Sequence, residues 1–130
     1  MKRTVRLISV ICVFVILSLS LISCFPIKPY YGEPINLEIS GESKMTWNYD
    51  EEYHVYEVTI DGVAENTLGK DVSDCFVMFT LYDSDGNVLD TAEAYLSLLK
   101  AGEKWRFCAY GSVGYEPASF ELTELYGYEY

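Results

Sequence analysis

Cys75-Phe76-Val77-Met78-Phe79-Thr80-Leu81-Tyr82-Asp83-Ser84-Asp85-Gly86-Asn87 carries the clearest signal of fold in this 130-residue chain. Residues 75–82 are apolar on both faces, as a central β-strand is, and Phe79 and Leu81 project together to one side. Asp83 to Asn87 then gathers short oxygen-bearing side chains around Gly86. This is hairpin chemistry: Asp83 accepts hydrogen bonds from turn amides, and Gly86 supplies a left-handed backbone. The competing reading is a calcium loop. An EF-hand needs glycine sixth and glutamate twelfth, whereas here Gly86 stands fourth from Asp83 and position twelve is Ala94.

The same punctuation runs outward in both directions. Upstream, Ile35-Asn36-Leu37-Glu38-Ile39 alternates apolar and polar residues, as do Met45, Trp47 and Tyr49. Tyr56, Val58 and Ile60 share one face of the next stretch, and Gly62 is expected to mark a bulge there. Downstream, Trp105, Phe107 and Ala109 alternate with Arg106, Cys108 and Tyr110. Phe120 and Leu122, with Tyr126 and Tyr128 at the same parity, predict a last strand. Between them, Asp90 to Leu99 is the one helix candidate, because Ala92, Tyr95, Leu96 and Leu99 fall at helical spacing; it lacks a good cap or stop. Seven or eight short strands between turns predict an all-β sandwich.

Several of these pieces recur together in a known module. Gly62-x-x-x-Asn66, Phe79-x-Leu81-Tyr82-Asp83, Asp83-x-x-Gly86 and Leu99-x-x-Gly102-Glu103 precede an aromatic strand from Trp105. In order and spacing, residues 55–125 resemble the FxLYD domain, a small secreted module of bacteria and archaea. Ala101 departs from the pattern, which often has proline there. The resemblance implies an immunoglobulin-like β-sandwich of about seven strands over residues 35–130, akin to the water-stress domain of late-embryogenesis-abundant proteins. It implies no activity. The motif residues are explained by structural roles: Phe79 and Leu81 as core, Asp83 as a turn former, Asn66 as a tie for a loop end.

The N-terminus supplies an address. Lys2, Arg3 and Arg6 precede an apolar run that ends in Leu21-Ile22-Ser23-Cys24. Residues 1–23 read as a secretory signal peptide, and Cys24 after a small residue resembles the lipobox of bacterial-type lipoproteins. As a membrane-spanning helix, residues 7–22 would reach only roughly 24 Å, short of a hydrocarbon core of roughly 30 Å. The resemblance implies cleavage before Cys24 and a diacylglycerol on its thiol. More than one acyl chain holds a protein durably on a membrane, where one alone does not. Pro26, Pro29, Gly32 and Pro34 make residues 24–34 an extended tether. The expected location is the extracytoplasmic face of a cell membrane.

Removal of residues 1–23 leaves six Lys and Arg against twenty Asp and Glu. So acidic a domain is not suited to nucleic acid or to lying flat on anionic lipid. His54, the single histidine, reads as a solvated strand residue and lacks partners for a zinc site, and no catalytic set, metal site or cofactor motif is evident. Strand parity sets Cys75 and Cys108 on opposite faces, which argues against a disulfide between them. Twelve tyrosines are many for this length; most suit strand packing. Tyr126, Tyr128 and Tyr130 can instead form an exposed stripe fit for an envelope protein or polysaccharide. The expectation is a tethered, non-enzymatic interaction domain. The rivals are a structural or stress-protective envelope domain without a ligand, and an envelope enzyme or hydrolase accessory using a carboxylate pair such as Glu51/Glu52 or Asp83/Asp85.

Overall fold

A computed structural model describes residues 32–130. The expected signal peptide, Cys24 and most of the tether lie outside the described residues. Eight strands follow in order: β1 (Pro34–Asn36), β2 (Glu38–Ile39), β3 (Lys44–Asp50), β4 (Val55–Glu65), β5 (Val72–Tyr82), β6 (Val88–Leu99), β7 (Lys104–Val113) and β8 (Ser119–Glu129). All pairings are antiparallel. One layer runs β3-β4-β7 and the other β6-β5-β8, joined at a seam where Glu93 of β6 pairs with Tyr110 of β7. This is an all-β, antiparallel sandwich.

The expected alternating run at 35–39 is divided between the layers. Pro34–Asn36 pairs with β8, whereas Glu38–Ile39 pairs with β4. Leu37, buried at the crossing, donates its amide to the Leu125 carbonyl at 3.3 Å, and Ser40 donates to Val63 at 2.7 Å. One segment thus binds both layers and nearly closes the sheet into a barrel-like sandwich. A proline at the start of such an edge strand forfeits no ladder bond.

The core forms where inward-facing residues of the two layers meet. Val58, Ile60, Phe107 and Ala109 come from one side, and Val77, Phe79, Leu81 and Ala92 from the other. The rings of Phe79 and Phe107 stand 5.8 Å apart across the layers, with Trp105 and Phe120 edge-on beside them. Cys75 lies wholly within this core while Cys108 is exposed on the outer face of β7, and both thiols are free.

The turn chemistry is as the residues require. Asp83 Oδ1 accepts from the amides of Asp85 and Asn87 at 2.9 and 2.8 Å, and Gly86 takes φ 82°. Asn66 is fully buried; its Nδ2 donates to the carbonyls of Lys70 and Leu99, and its Oδ1 accepts from Leu68. Its backbone also bonds Gly102 and Glu103. The Gly-x-x-x-Asn step and the Leu-x-x-Gly-Glu turn, far apart in sequence, are therefore a single joint. Ala101 donates its amide to Asp71 Oδ1 at 3.0 Å, a bond that proline has no N–H to make.

Four expectations are corrected. Residues 90–99 are not a helix but most of β6, hydrogen-bonded along β5. Ala92, Ala94 and Leu96 face the core at strand spacing, and a change of face before Leu99 makes the inward set mimic helical spacing. Gly62 marks no bulge: β4 pairs β7 without a break from Tyr56 to Glu65, and Gly62 faces inward beneath the Phe107 ring, where a Cβ would collide. The last strand does not keep one parity, because β8 shifts register on β5 between Met78 and Phe79. Phe120 therefore faces the core, but so do Leu125 and Gly127, leaving Tyr126 and Tyr128 on the outer face. Finally, His54 sits in the turn between β3 and β4 with φ 55°, rather than in a strand.

Candidate outer-face aromatic surface

The outer face of the β6-β5-β8 layer is built by register. Phe76 on β5 pairs with Tyr95 on β6 and with Tyr126 on β8, so three aromatic side chains lie in one row across three strands. One step along, Met78 pairs with Glu93 on one side and Glu124 on the other, which sets an acidic residue at each end of the next row. Cross-strand neighbours on one face lie about 4.5–5.5 Å apart at Cβ, close enough for these side chains to act together.

A backbone irregularity completes the surface. Asp74 takes φ 50°, unusual for a residue with a Cβ, and β5 gains one residue there relative to β8, between Ser73 and Phe76. The bulge lets both Val72 and Cys75 face inward. It also sets Asp74 at the rim, where its Oδ1 accepts a hydrogen bond from the Tyr95 hydroxyl. Gly127, inward on β8, is crowded by Val72, Ser73 and Cys75, so only a glycine lets β8 approach this closely.

The rings do not lie flat. Phe76 and Tyr126 meet at 5.6 Å with planes 48° apart, and Tyr126 and Tyr128 at 5.8 Å with planes 83° apart. Between them and Tyr95 and Asp74 lies a depression of about 270 Å³. A second hollow of about 460 Å³ lies on the far side of Tyr126 and Tyr128, toward Pro34, Asn36 and Glu124. Tyr126 and Tyr128 thus form the ridge between two hollows. Desolvation raises the Tyr126 phenol above its ordinary value, and the neighbouring Tyr128 and Glu124 add to it, so the ring stays neutral.

Of the residues expected to form a stripe, Tyr126 and Tyr128 stand together on this ridge. Tyr130 lies beyond the end of β8, 84% exposed, with its amide bonded to Asp71. Sequence reasoning did not find Phe76, Tyr95 or Asp74. The apolar character of both faces of residues 75–82 pointed to Phe76, but Tyr95 was assigned to a helix and nothing announced the bulge at Asp74.

Other candidates are dispersed. His54 Nδ1 lies 3.2 Å from the Tyr49 hydroxyl on an exposed hairpin tip. Asp83 is occupied by its own turn, and the Asn87 side chain and backbone amide hold its carboxyl below the usual range. Burial raises the Cys75 thiol, with Asp74 adding to it; desolvation and then Asp61 raise Cys108. Among the described residues, no three His, Cys, Asp or Glu side chains gather to hold a metal ion.

Fold and surface together define an all-β sandwich with a ridged, acid-rimmed aromatic patch on one outer face. No family model matches the chain, and no curated protein or solved structure does either.

Proposed function

We propose that the protein is a lipid-anchored, extracytoplasmic lipoprotein of the FxLYD type whose sandwich is a non-enzymatic interaction domain. The lipobox at Cys24 supports the anchor, and the motif joint at Asn66 supports the family reading. The observation that carries the interaction role is the row Tyr95–Phe76–Tyr126, continued by Tyr128 and bordered by Asp74, Glu93 and Glu124. Rings tilted against one another offer no flat platform for a sugar face. Neutral aromatic faces beside carboxylates suit the Lys and Arg side chains of a protein partner, through cation–π and charge contacts. The partner is therefore an envelope protein presenting a basic surface; an envelope polysaccharide is the lesser fit.

The test uses membrane-purified protein. Intact mass should show a chain beginning at a lipidated Cys24; Met1 or an unmodified Cys24 would refute the anchor. Changing Tyr126, Tyr128 and Tyr130 together to Ser should weaken capture of a partner while leaving the melting transition in place. Equal capture by the folded variant would remove the patch from consideration. Turnover of an envelope polymer, abolished by one carboxylate substitution, would overturn the non-enzymatic reading.

A further inference from the structure

Strand β3 is hydrogen-bonded on one side only: it pairs with β4, and among the described residues no strand lies on its other edge. Such an edge offers a row of unpaired N–H and C=O groups, and proteins commonly blunt it with proline, bulges or central charges. None of these devices is present. Lys44-Met45-Thr46-Trp47-Asn48-Tyr49-Asp50 pairs with β4 in unbroken register, with its two charges at its ends. Trp47 and Tyr49 remain 42% and 41% exposed, although both share the core-facing side of the layer and touch the ring of Tyr56.

The seven residues are complementary to their own reverse. We propose that two copies of this chain pair edge to edge through β3, antiparallel and centred on Trp47, joining the two β3-β4-β7 layers into one continuous sheet. In that register Lys44 lies opposite Asp50 twice, Thr46 opposite Asn48 twice, Met45 opposite Tyr49 twice, and Trp47 meets its own counterpart on the two-fold axis. Every pair matches like with like in polarity or opposes unlike charges, the combinations that stabilise neighbouring strands. Sliding by two residues one way sets Glu42 against Asp50; sliding the other way leaves Lys44 opposite Glu52, beyond the end of β3. The centred register alone satisfies the whole strand. A two-fold contact of this kind closes on itself, so the assembly stops at a dimer.

The test is made on the full chain in detergent, in a Cys108→Ser background. Chains carrying Thr46→Cys mixed with chains carrying Asn48→Cys should form a disulfide-linked dimer under mild oxidation, whereas neither alone should, because position 46 faces 48 and not itself. Sedimentation should show a monomer–dimer equilibrium for the unaltered chain. Lys44→Glu, at an exposed strand end, should weaken it by about tenfold by turning two favourable pairs into repulsive ones. Trp47→Ser should weaken it further, with its melting transition checked separately. A monomer at every soluble concentration, cross-linking by either single variant as readily as by the mixture, or indifference to Lys44→Glu would each overturn the proposal.

Discussion

Asn66 shows how one side chain carries a motif. It is the sole buried polar residue among the described ones, and each of its side-chain polar atoms has a partner. Asn66→Ala leaves the Leu99 carbonyl buried without its donor and frees the Lys70 loop, which should cost about 1–3 kcal/mol in chemical denaturation. Asn66→Asp should be at least as damaging at neutral pH, since a carboxylate then faces two carbonyls, and should recover part of the loss as pH falls through the carboxylate range. Asp83 has the opposite dependence. Its folded-state carboxyl titrates below the usual value, so its contribution is present above the unfolded carboxylate value of about 3.9 and is lost as pH falls through the lower folded one. Protection of the Asp85 and Asn87 amides, measured against their intrinsic exchange rates, should fall over that acid window in the native chain, and Asp83→Ala should leave them unprotected at every pH.

At the scale of strands, packing sets the order of losses. Leu81 is fully buried and should cost about 2–5 kcal/mol when changed to Ala, whereas Thr80, on the outer face with its hydroxyl on Thr123, should cost under about 1 kcal/mol. A Cβ at Gly111 would strike the backbone of Thr91 and Ala92 on β6. Gly111→Ala should therefore destabilise by about 1–3 kcal/mol although it adds one methyl group, because backbone cannot rotate away as a side chain can. The central strand and its hairpin were legible in sequence because strand parity and turn chemistry act locally. Strand β6 was not, since a change of face between Leu96 and Leu99 leaves Ala92, Leu96 and Leu99 inward in both the helical and the extended readings, and only Ala94 and Tyr95 tell them apart. The face change in β8 was equally hidden: a bulge is fixed by the neighbouring strand's register, and Thr123-Glu124 bears no glycine to announce it. Asp74 holds a left-handed backbone that sequence alone assigns first to glycine and only occasionally to Asn or Asp.

For the whole molecule, the two outer faces differ in kind. The β3-β4-β7 layer carries Glu57, Asp61, Arg106 and Lys104 outward, with Tyr110 bonded to Glu57 at 3.2 Å, and reads as a solvated surface. The β6-β5-β8 layer exposes aromatic rings. Composition announced an aromatic, acidic chain, and terminal alternation named Tyr126 and Tyr128, but only the tertiary register brings Phe76 and Tyr95 beside them across some fifty residues of chain. The interaction role requires that this aromatic row, and not merely any exposed ring, meet the partner. The most direct measurement sets a photo-cross-linking aromatic at Tyr126, at Tyr95 or at Tyr53 of the membrane-anchored protein and compares the adducts formed. Tyr53, 70% exposed at the β3-β4 hairpin tip, is the control. One shared partner should be captured from positions 126 and 95 and be absent from 53; capture at 53 alone, or no adduct at either 126 or 95 in folded protein, would rule out this row as the docking surface.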